Sequence, residues 1–185
     1  MNDYELIRDS LDGDQVALER LHERYVDRIF HYIYIQTNSY HDTEELLQDV
    51  FFKVSKELHR FEGKSTFKTW LFKIARNTVI DYYRTKKKAQ LSVPLELENL
   101  EEIVGHSEAA EDTVLRKVEV DKVIQMIDQL PSHYKSILHL RFFEGFSIKE
   151  TAQVMGKSVL SVKAMQRRAK QTLIEKVKLE VQGVE

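Results

Sequence analysis

The sequence predicts an all-α chain of two small helical domains joined by an acidic linker, the C-terminal domain carrying a helix-turn-helix. Three observations lead there. Six Gly and two Pro in 185 residues are too few for an all-β protein, which turns about every 8–12 residues. Apolar side chains recur at three- and four-residue intervals along most of the chain, the period of a helix with one buried face. Charge is partitioned: residues 1–90 hold fifteen basic and fifteen acidic groups, residues 91–112 seven acidic and none basic, and residues 113–185 thirteen basic and eight acidic. A formal charge of -2 for the whole chain hides a basic third that could meet nucleic acid.

Composition narrows the chemistry further. The absence of Cys removes disulfides, thiolate metal sites and a Cys nucleophile together. The seven His are scattered without a pair at helical ligand spacing, so neither a metal nor any other cofactor is expected. No apolar run approaches the ~18 residues of a membrane helix, and "MNDYELIRDS" is acidic and polar where a secretory signal is basic and then apolar. The expected compartment is the cytoplasm, with no membrane insertion.

Taken in order, the first strong helix follows Gly13-Asp14, a break and a cap, and places Leu18, Leu21, Tyr25 and Ile29 on one stripe. A second begins near Asp42 in "HDTEELLQDVFFKVSKELHRF", with Leu46, Val50, Phe51 and Val54 on one face and three acids in its first turn, where the helix dipole favours them. The loop "FEGKS" leads into a third, "STFKTWLFKIARNTVIDYYRTKKK". Residues 91–112, with Pro94 and Gly105, read as the linker, with a short helical piece over 97–104. Beyond it a helix is expected over 110–130, stopped by Pro131, then one through "SHYKSILHLRFF", then a short pair.

That pair carries the most specific local signal. Ser147 followed by Glu150 is a capping box, and Gly156-Lys157-Ser158 is a tight turn in which Ser158 can cap the next helix. Helices joined this way form a helix-turn-helix. Ile148, Ala152, Met155, Val162, Met165, Ala169 and Leu173 can point inward, leaving Leu160, Ser161, Lys163, Ala164, Arg167, Arg168 and Gln171 outside. Such a basic face suits the major groove, where Arg reads guanine, Lys and Arg meet phosphate, and Ala or Ser permits close approach. A merely solvated helix is the plainer alternative.

The third helix threads five aromatic rings among seven Lys or Arg and one Asp. Phe67, Trp70, Leu71, Ile74, Ala75, Thr78 and Tyr82 share a broad stripe, yet Phe72, Val79 and Tyr83 lie nearly opposite, alongside Arg76. A helix apolar on two sides sits inside a bundle or keeps rings for stacking. Rings among cations suit single-stranded nucleic acid, whose unstacked bases find π faces while the backbone finds charge. Both readings stand at this point. On the second helix, Asp42, Glu45 and Asp49 share a face, but no His joins them. With Gln48 and Phe52 beside them they form a surface for a protein partner, or simply a solvated one, more readily than a metal site.

Together these segments resemble the extracytoplasmic-function group of bacterial alternative sigma factors, in the sigma-70 family. "DTEELLQDVFFKV" looks like the group's polymerase-binding helix, "FEGKSTFKTWLFKIARNTVIDYYRTKKK" resembles its promoter-melting and minus-ten segment, and the helix-turn-helix from Ile148 to Arg167 is similar to its minus-thirty-five reader. The resemblance implies a sigma region 2-like domain over 1–90 and a region 4-like domain over 113–185. It implies that Asp42, Glu45, Leu46, Gln48, Asp49 and Phe52 meet the coiled coil of the largest subunit of core RNA polymerase, and that the second domain meets the flap region. Phe61, Gly63, Lys64 and Ser65 would accept a base flipped from the minus-ten element, with Trp70, Lys73, Arg76, Asn77 and Asp81 along the non-template strand. Ser161, Lys163, Ala164, Arg167 and Arg168 would hold the minus-thirty-five duplex. Promoter DNA and an anti-sigma factor complete the implied partners, and the chain is not expected to be an enzyme.

Leu160-Ser161 stands where the group often has Gly-Thr, and Met165-Gln166 where Arg and Leu are frequent, so the preferred minus-thirty-five sequence is not readable. Two rivals remain. A DNA-binding regulator with an N-terminal dimerisation or sensor domain explains the basic third but not the ring-and-cation helix. A metal nuclease built on Asp42, Glu45 and Asp49 predicts divalent-dependent cleavage of DNA.

Overall fold

The structure, a computed structural model, describes residues 1–91, 126, 127 and 129–182, and among these no residue is in a strand. The chain divides into two compact units, Met1–Val104 and Gly105–Glu185. Most of the expected linker, its short helical piece and nearly all of the expected helix over 110–130 lie outside the described residues.

Among the described residues, the first unit has four α-helices. Helix α1 (Asp3–Leu11) has no counterpart in the sequence reading, although it carries a full capping box: Asn2 accepts from the Glu5 amide and the Glu5 carboxylate accepts from the Asn2 amide. Leu6 and Ile7 anchor it. Gly13, at φ 99°, makes the sharp turn that lets Asp14 cap α2 (Gln15–Thr37). The buried stripe of α2 runs through Ala17, Leu21, Tyr25, Ile29 and Ile33. Leu18, expected on it, sits at the rim, because the four-residue steps from Ile33 back to Leu21 lead to Ala17.

Helix α3 (Tyr40–Glu57) starts two residues earlier than expected. Ser39 caps it by accepting from the Asp42 amide (3.3 Å), which leaves Asp42 as the only acid in the first turn. Thr43, fully buried, donates to the Ser39 carbonyl (2.6 Å) and pairs with the Thr37 hydroxyl (2.8 Å), so the α2–α3 corner is polar but satisfied. Leu46, Val50 and Val54 face inward; Phe51 is half-buried, its ring 4.4 Å from that of His22. A short 3-10 turn (Leu58–Arg60) and the loop 61–66 lead to α4 (Phe67–Leu91). This helix packs against both α2 and α3, which explains its double apolar character. Phe67, Leu71, Ala75 and Thr78 are buried on one side, and Phe72 and Val79 on the other, with Phe72 edge-on to Tyr32 at 5.4 Å.

In the second unit, α5 (Ser132–Leu138) passes into a π-helical turn (His139–Phe143), a difference from the plain helix expected there. The Glu144 amide donates to the His139 carbonyl (3.0 Å), five residues back. The wider turn keeps Leu140 fully buried while Arg141 crosses to Gln166 (3.1 Å) and the Phe146 carbonyl. Helices α6 (Ile148–Met155) and α7 (Val159–Gln182) follow, α7 being far longer than the short helix expected, and both α5 and α6 pack on α7.

Candidate functional site

The residues expected at sites fall on three surfaces, each held by local features already visible in the chain. The first lies on α3. Glu45, Gln48, Asp49 and Phe52 are exposed and recur at three- and four-residue steps, so they share one face. Lys56 covers the Phe52 ring at 4.4 Å, and Glu45 and Asp49 are exposed on the same face toward the start of the helix. Leu46, expected in the same set, is 4% exposed. It anchors the helix from within and offers no surface.

Asp42, half-buried, faces the far end of α4. Its carboxylate is 3.8 Å from the Lys86 ammonium, which donates to the Tyr82 hydroxyl at 2.9 Å. That hydrogen bond to Tyr82 holds the Lys86 pKa above its ordinary value. Burial, foremost, raises both the Tyr82 and Tyr83 hydroxyls, and Tyr83 donates to the Gln36 carbonyl at 2.6 Å. These protonated tyrosines tie the end of α4 to the α2–α3 corner.

The second surface is the loop 61–66 with the outer face of α4. Thr66 caps the helix, its hydroxyl accepting from the Thr69 amide (3.2 Å) and its carbonyl from the Trp70 amide (3.1 Å). With two sides of α4 committed to packing, its third carries Trp70, Lys73, Asn77, Ile80, Asp81 and Arg84. Lys73, Asn77, Ile80, Asp81 and Arg84 are exposed; Trp70 and Arg76 are half-buried at the border. Lys53 donates to Thr78 (3.0 Å) and so fixes the helix from the inner side.

In the loop, Gly63 adopts φ 69°, a conformation glycine takes without strain. Glu62 and Lys64 form an exposed ion pair beside it. Phe61 is half-buried and lies 5.5 Å from Trp70 and 5.8 Å from Phe67, whose own ring is 5.7 Å from Trp70. A fourth ring joins from α1: Tyr4, 6.1 Å from Phe61 and 54% exposed. The expected residues Phe61, Gly63, Lys64, Ser65 and Trp70 are thus brought together, and Lys73 and Asn77 continue the same surface. Tyr4 escaped the sequence reading because no element was assigned to it. Asn2 and Glu5 flanking it, ahead of Leu6-Ile7, are the cap signal that could have found it.

The third surface is the outer side of α7. Both halves of the Ser147 box form: its hydroxyl accepts from the Glu150 amide (3.2 Å), and its amide donates to the Glu150 carboxylate (2.8 Å). Gly156 ends α6 at φ 60°, ψ 38°, and Ser158 caps α7 by accepting from the Ser161 amide (3.2 Å). Ala152, Met155, Val162 and Ala169 are buried, as are Thr151 and Val154, which the helical pattern had not assigned inward. Lys163, Ala164, Arg167 and Arg168 are exposed; Ser161 is half-buried. The Leu160 side chain stands 77% exposed at the helix start, and Phe142 and Phe143 stand out from the π turn, Phe142 beneath Lys170 at 4.7 Å.

Among the described residues no group of three or more His, Asp or Glu could hold a metal ion, and no helix is long and apolar enough to cross a membrane. A cleft of about 360 Å3 between α2 and α3 is lined by apolar groups with His22, Glu19 and Glu23. Lacking Lys and Arg, it does not suit nucleic acid.

Comparison with known proteins identifies the family. The family description Sigma-70 region 2 matches residues 21–89, and Sigma-70, region 4 matches residues 121–173. The chain is 30% identical to the RNA polymerase sigma factor YlaC of Bacillus subtilis, over 83% of this chain and 88% of that protein. It is 30% identical to the RNA polymerase sigma-H factor of Pseudomonas aeruginosa, over 92% and 91%. With the ECF RNA polymerase sigma factor SigX of Bacillus subtilis it shares 27% identity over 88% and 84%. Among solved structures, CnrH in complex with the cytosolic domain of CnrY superposes with a TM-score of 0.69 at 22% identity, over 96% of this chain and 97% of that one. The sigma factor RpoE of Bartonella quintana, in complex with the anti-sigma factor NepR, gives 0.68 at 21%, over 87% and 96%. At those identities the two structures speak for the fold.

Proposed function

The chain belongs to the extracytoplasmic-function group of the sigma-70 family, and from that premise we propose how its two units divide the work. Its function is that of a sigma factor, binding core RNA polymerase and directing it to promoters; it is not itself an enzyme. We assign polymerase binding and minus-ten melting to residues 1–90 and minus-thirty-five recognition to residues 113–185, with 91–112 between them.

On α3, Glu45, Gln48, Asp49 and Phe52 present acids and a ring to the polymerase, Asp42 borders them, and Leu46 sets the helix from behind. The opened strand then runs along α4. Extruding a base costs a few kcal/mol, and each base stacked on a ring returns about 1–3 kcal/mol. The ring cluster of Phe61 and Trp70 at the mouth of the loop supplies such faces, Gly63 lets the backbone approach, and Lys64, Lys73 and Arg76 supply charge. Asn77 offers both a donor and an acceptor to a base edge. On α7, Lys163, Arg167 and Arg168 neutralise phosphates, while Ser161 and Ala164 allow close approach to the major groove. We place an anti-sigma factor among the partners because the RpoE relative is held by one, and we assign the flap region of polymerase to the second unit.

The observation that carries the strand reading is the three-sided α4, packed on two sides and presenting Lys73, Asn77 and an Asp81–Arg84 ion pair on the third. The test is reconstitution with core polymerase, followed by co-elution and run-off transcription. Asp49→Ala should weaken core binding about tenfold, roughly one lost charge-assisted contact, while binding of the free protein to a minus-thirty-five duplex persists. Loss of duplex affinity with core binding intact would refute the assignment of α3. Failure of the wild type to bind core would refute the whole division.

A further inference from the structure

We infer that α1 is a working part of the melted-strand surface, and that Tyr4 forms one side of the pocket for an extruded nucleobase. The family match begins at residue 21, so α1 lies outside the segment that the region 2 description covers. This inference rests on the reading of loop 61–65 and α4 as the single-strand site.

The attachment of α1 does not depend on Tyr4. Leu6 and Ile7 bury its apolar face. Asp3 accepts from the Tyr25 hydroxyl (2.5 Å) and from Arg24 (2.6 Å), and Arg24 also reaches the Met1 carbonyl (3.1 Å). Asp3 thus fixes the backbone one residue away, and Tyr4 is held in place while more than half of it stays open to solvent.

Its position is the informative part. The ring lies 6.1 Å from Phe61 at a tilt of 31°. Its hydroxyl lies 3.5 Å from the Ser65 carbonyl, at the outer limit of hydrogen-bond reach. A Cβ at Gly63 would come within 3.6 Å of its Cε1. Tyr4 therefore touches the loop near its start, middle and end. With Phe61 and Trp70 it makes a continuous aromatic border, and Lys64 in the same loop, paired with Glu62, keeps 85% of its side chain exposed. An aromatic face with an exposed Lys in the adjoining loop is what an unstacked base and its phosphate require, the phosphate drawing Lys64 from Glu62, and every base has a π face to offer. The ligand is thus a base of single-stranded DNA, taken by stacking.

The test uses holoenzyme and single-stranded oligonucleotides from the non-template strand of a promoter it transcribes, with each nucleotide in turn made abasic. Wild type should lose affinity at one position. Tyr4→Ala should bind the intact strand about five- to tenfold more weakly, the lower range of one ring-on-base stack, and should lose most of its sensitivity to that abasic position. Tyr4→Phe should keep both properties. Equal weakening by Tyr4→Ala on intact and abasic strands would overturn the inference, because Tyr4 would then act without touching the base. Insensitivity of the wild type to every abasic position would overturn the loop reading itself, and the inference with it. Thermal melting and core co-elution of Tyr4→Ala, both expected unchanged, separate either result from unfolding.

Discussion

Gly156 isolates the backbone contribution of the helix-turn-helix corner. It sits at φ 60°, ψ 38°, its amide donates back to the α6 carbonyls of Ala152 and Gln153, and a Cβ placed on it meets nothing within 4 Å. Gly156→Ala therefore creates no clash, and its cost is the left-handed conformation alone, about 1–2 kcal/mol. Reduced freedom of the unfolded chain returns about 0.4–1 kcal/mol, leaving a net loss near 1 kcal/mol. Asn tolerates this region and should lose only a few tenths, while β-branched Val should lose about 2 kcal/mol. Hydrogen exchange localises the effect: amides in α6 and the first turns of α7 should open about fivefold more often in Gly156→Ala, and those of α2 to α4 should not change. Unchanged protection, or Val tolerated better than Ala, would refute the reasoning, since either requires that the αL geometry is not what the corner needs.

Two further outcomes follow from other parts of the molecule. Arg168→Ala should weaken minus-thirty-five duplex binding and lower the slope of log K against log salt by about 0.9, so that its deficit shrinks about 3.5-fold between 50 and 200 mM salt; an unchanged slope would mean that Arg168 touches no phosphate. Burial first, and the hydrogen bond to Asp3 second, raise the Tyr25 pKa, so its stabilising contribution is complete below the unfolded value near 10 and is lost as pH rises towards the folded one. Denaturant titrations should show wild type ahead of Tyr25→Phe by about 1–2 kcal/mol at neutral pH and that lead narrowing above pH 10; a lead constant with pH would mean that the hydroxyl is not buried as described.

The second unit was the more legible in sequence, because its signals are local. A capping box and a Gly-containing turn each determine geometry within a few residues, so Ser147, Glu150, Gly156 and Ser158 all act as the sequence predicts. The π turn was not legible. It depends on burying Leu140 while Arg141 reaches Gln166, a residue 25 positions away. In the first unit the chain-local features failed at the edges: Ser39 outcompeted Asp42 as the start of α3, and α1 passed unnoticed because nine residues give a helical period little length to show itself. Leu46 illustrates a different limit. Its placement among exposed contacts came from resemblance, whereas its own spacing with Val50 and Val54 had already put it inside.

Helix α4 shows why periodicity could not choose between core and nucleic acid. Amphipathic reasoning divides a helix into an apolar half and a polar half, but α4 packs on α2 and α3 together, so two stripes are apolar and the third narrows to a strip. Lys73, Asn77, Asp81 and Arg84 occupy that strip, and the fully buried rings, Phe67 and Phe72, lie off it. Trp70 sits at the junction of the two roles: its indole rests against Phe67, which is buried, and against Phe61, which is not. The core thereby fixes the angle at which the exposed strip and the loop meet. A surface that must hold unstacked bases needs rings already in place, because ordering them on binding would consume the stacking energy they supply. On the proposed strand reading, the packed aromatic content of α4 thus serves the exposed strip directly, by presenting Trp70 and Phe61 preorganised at the start of it.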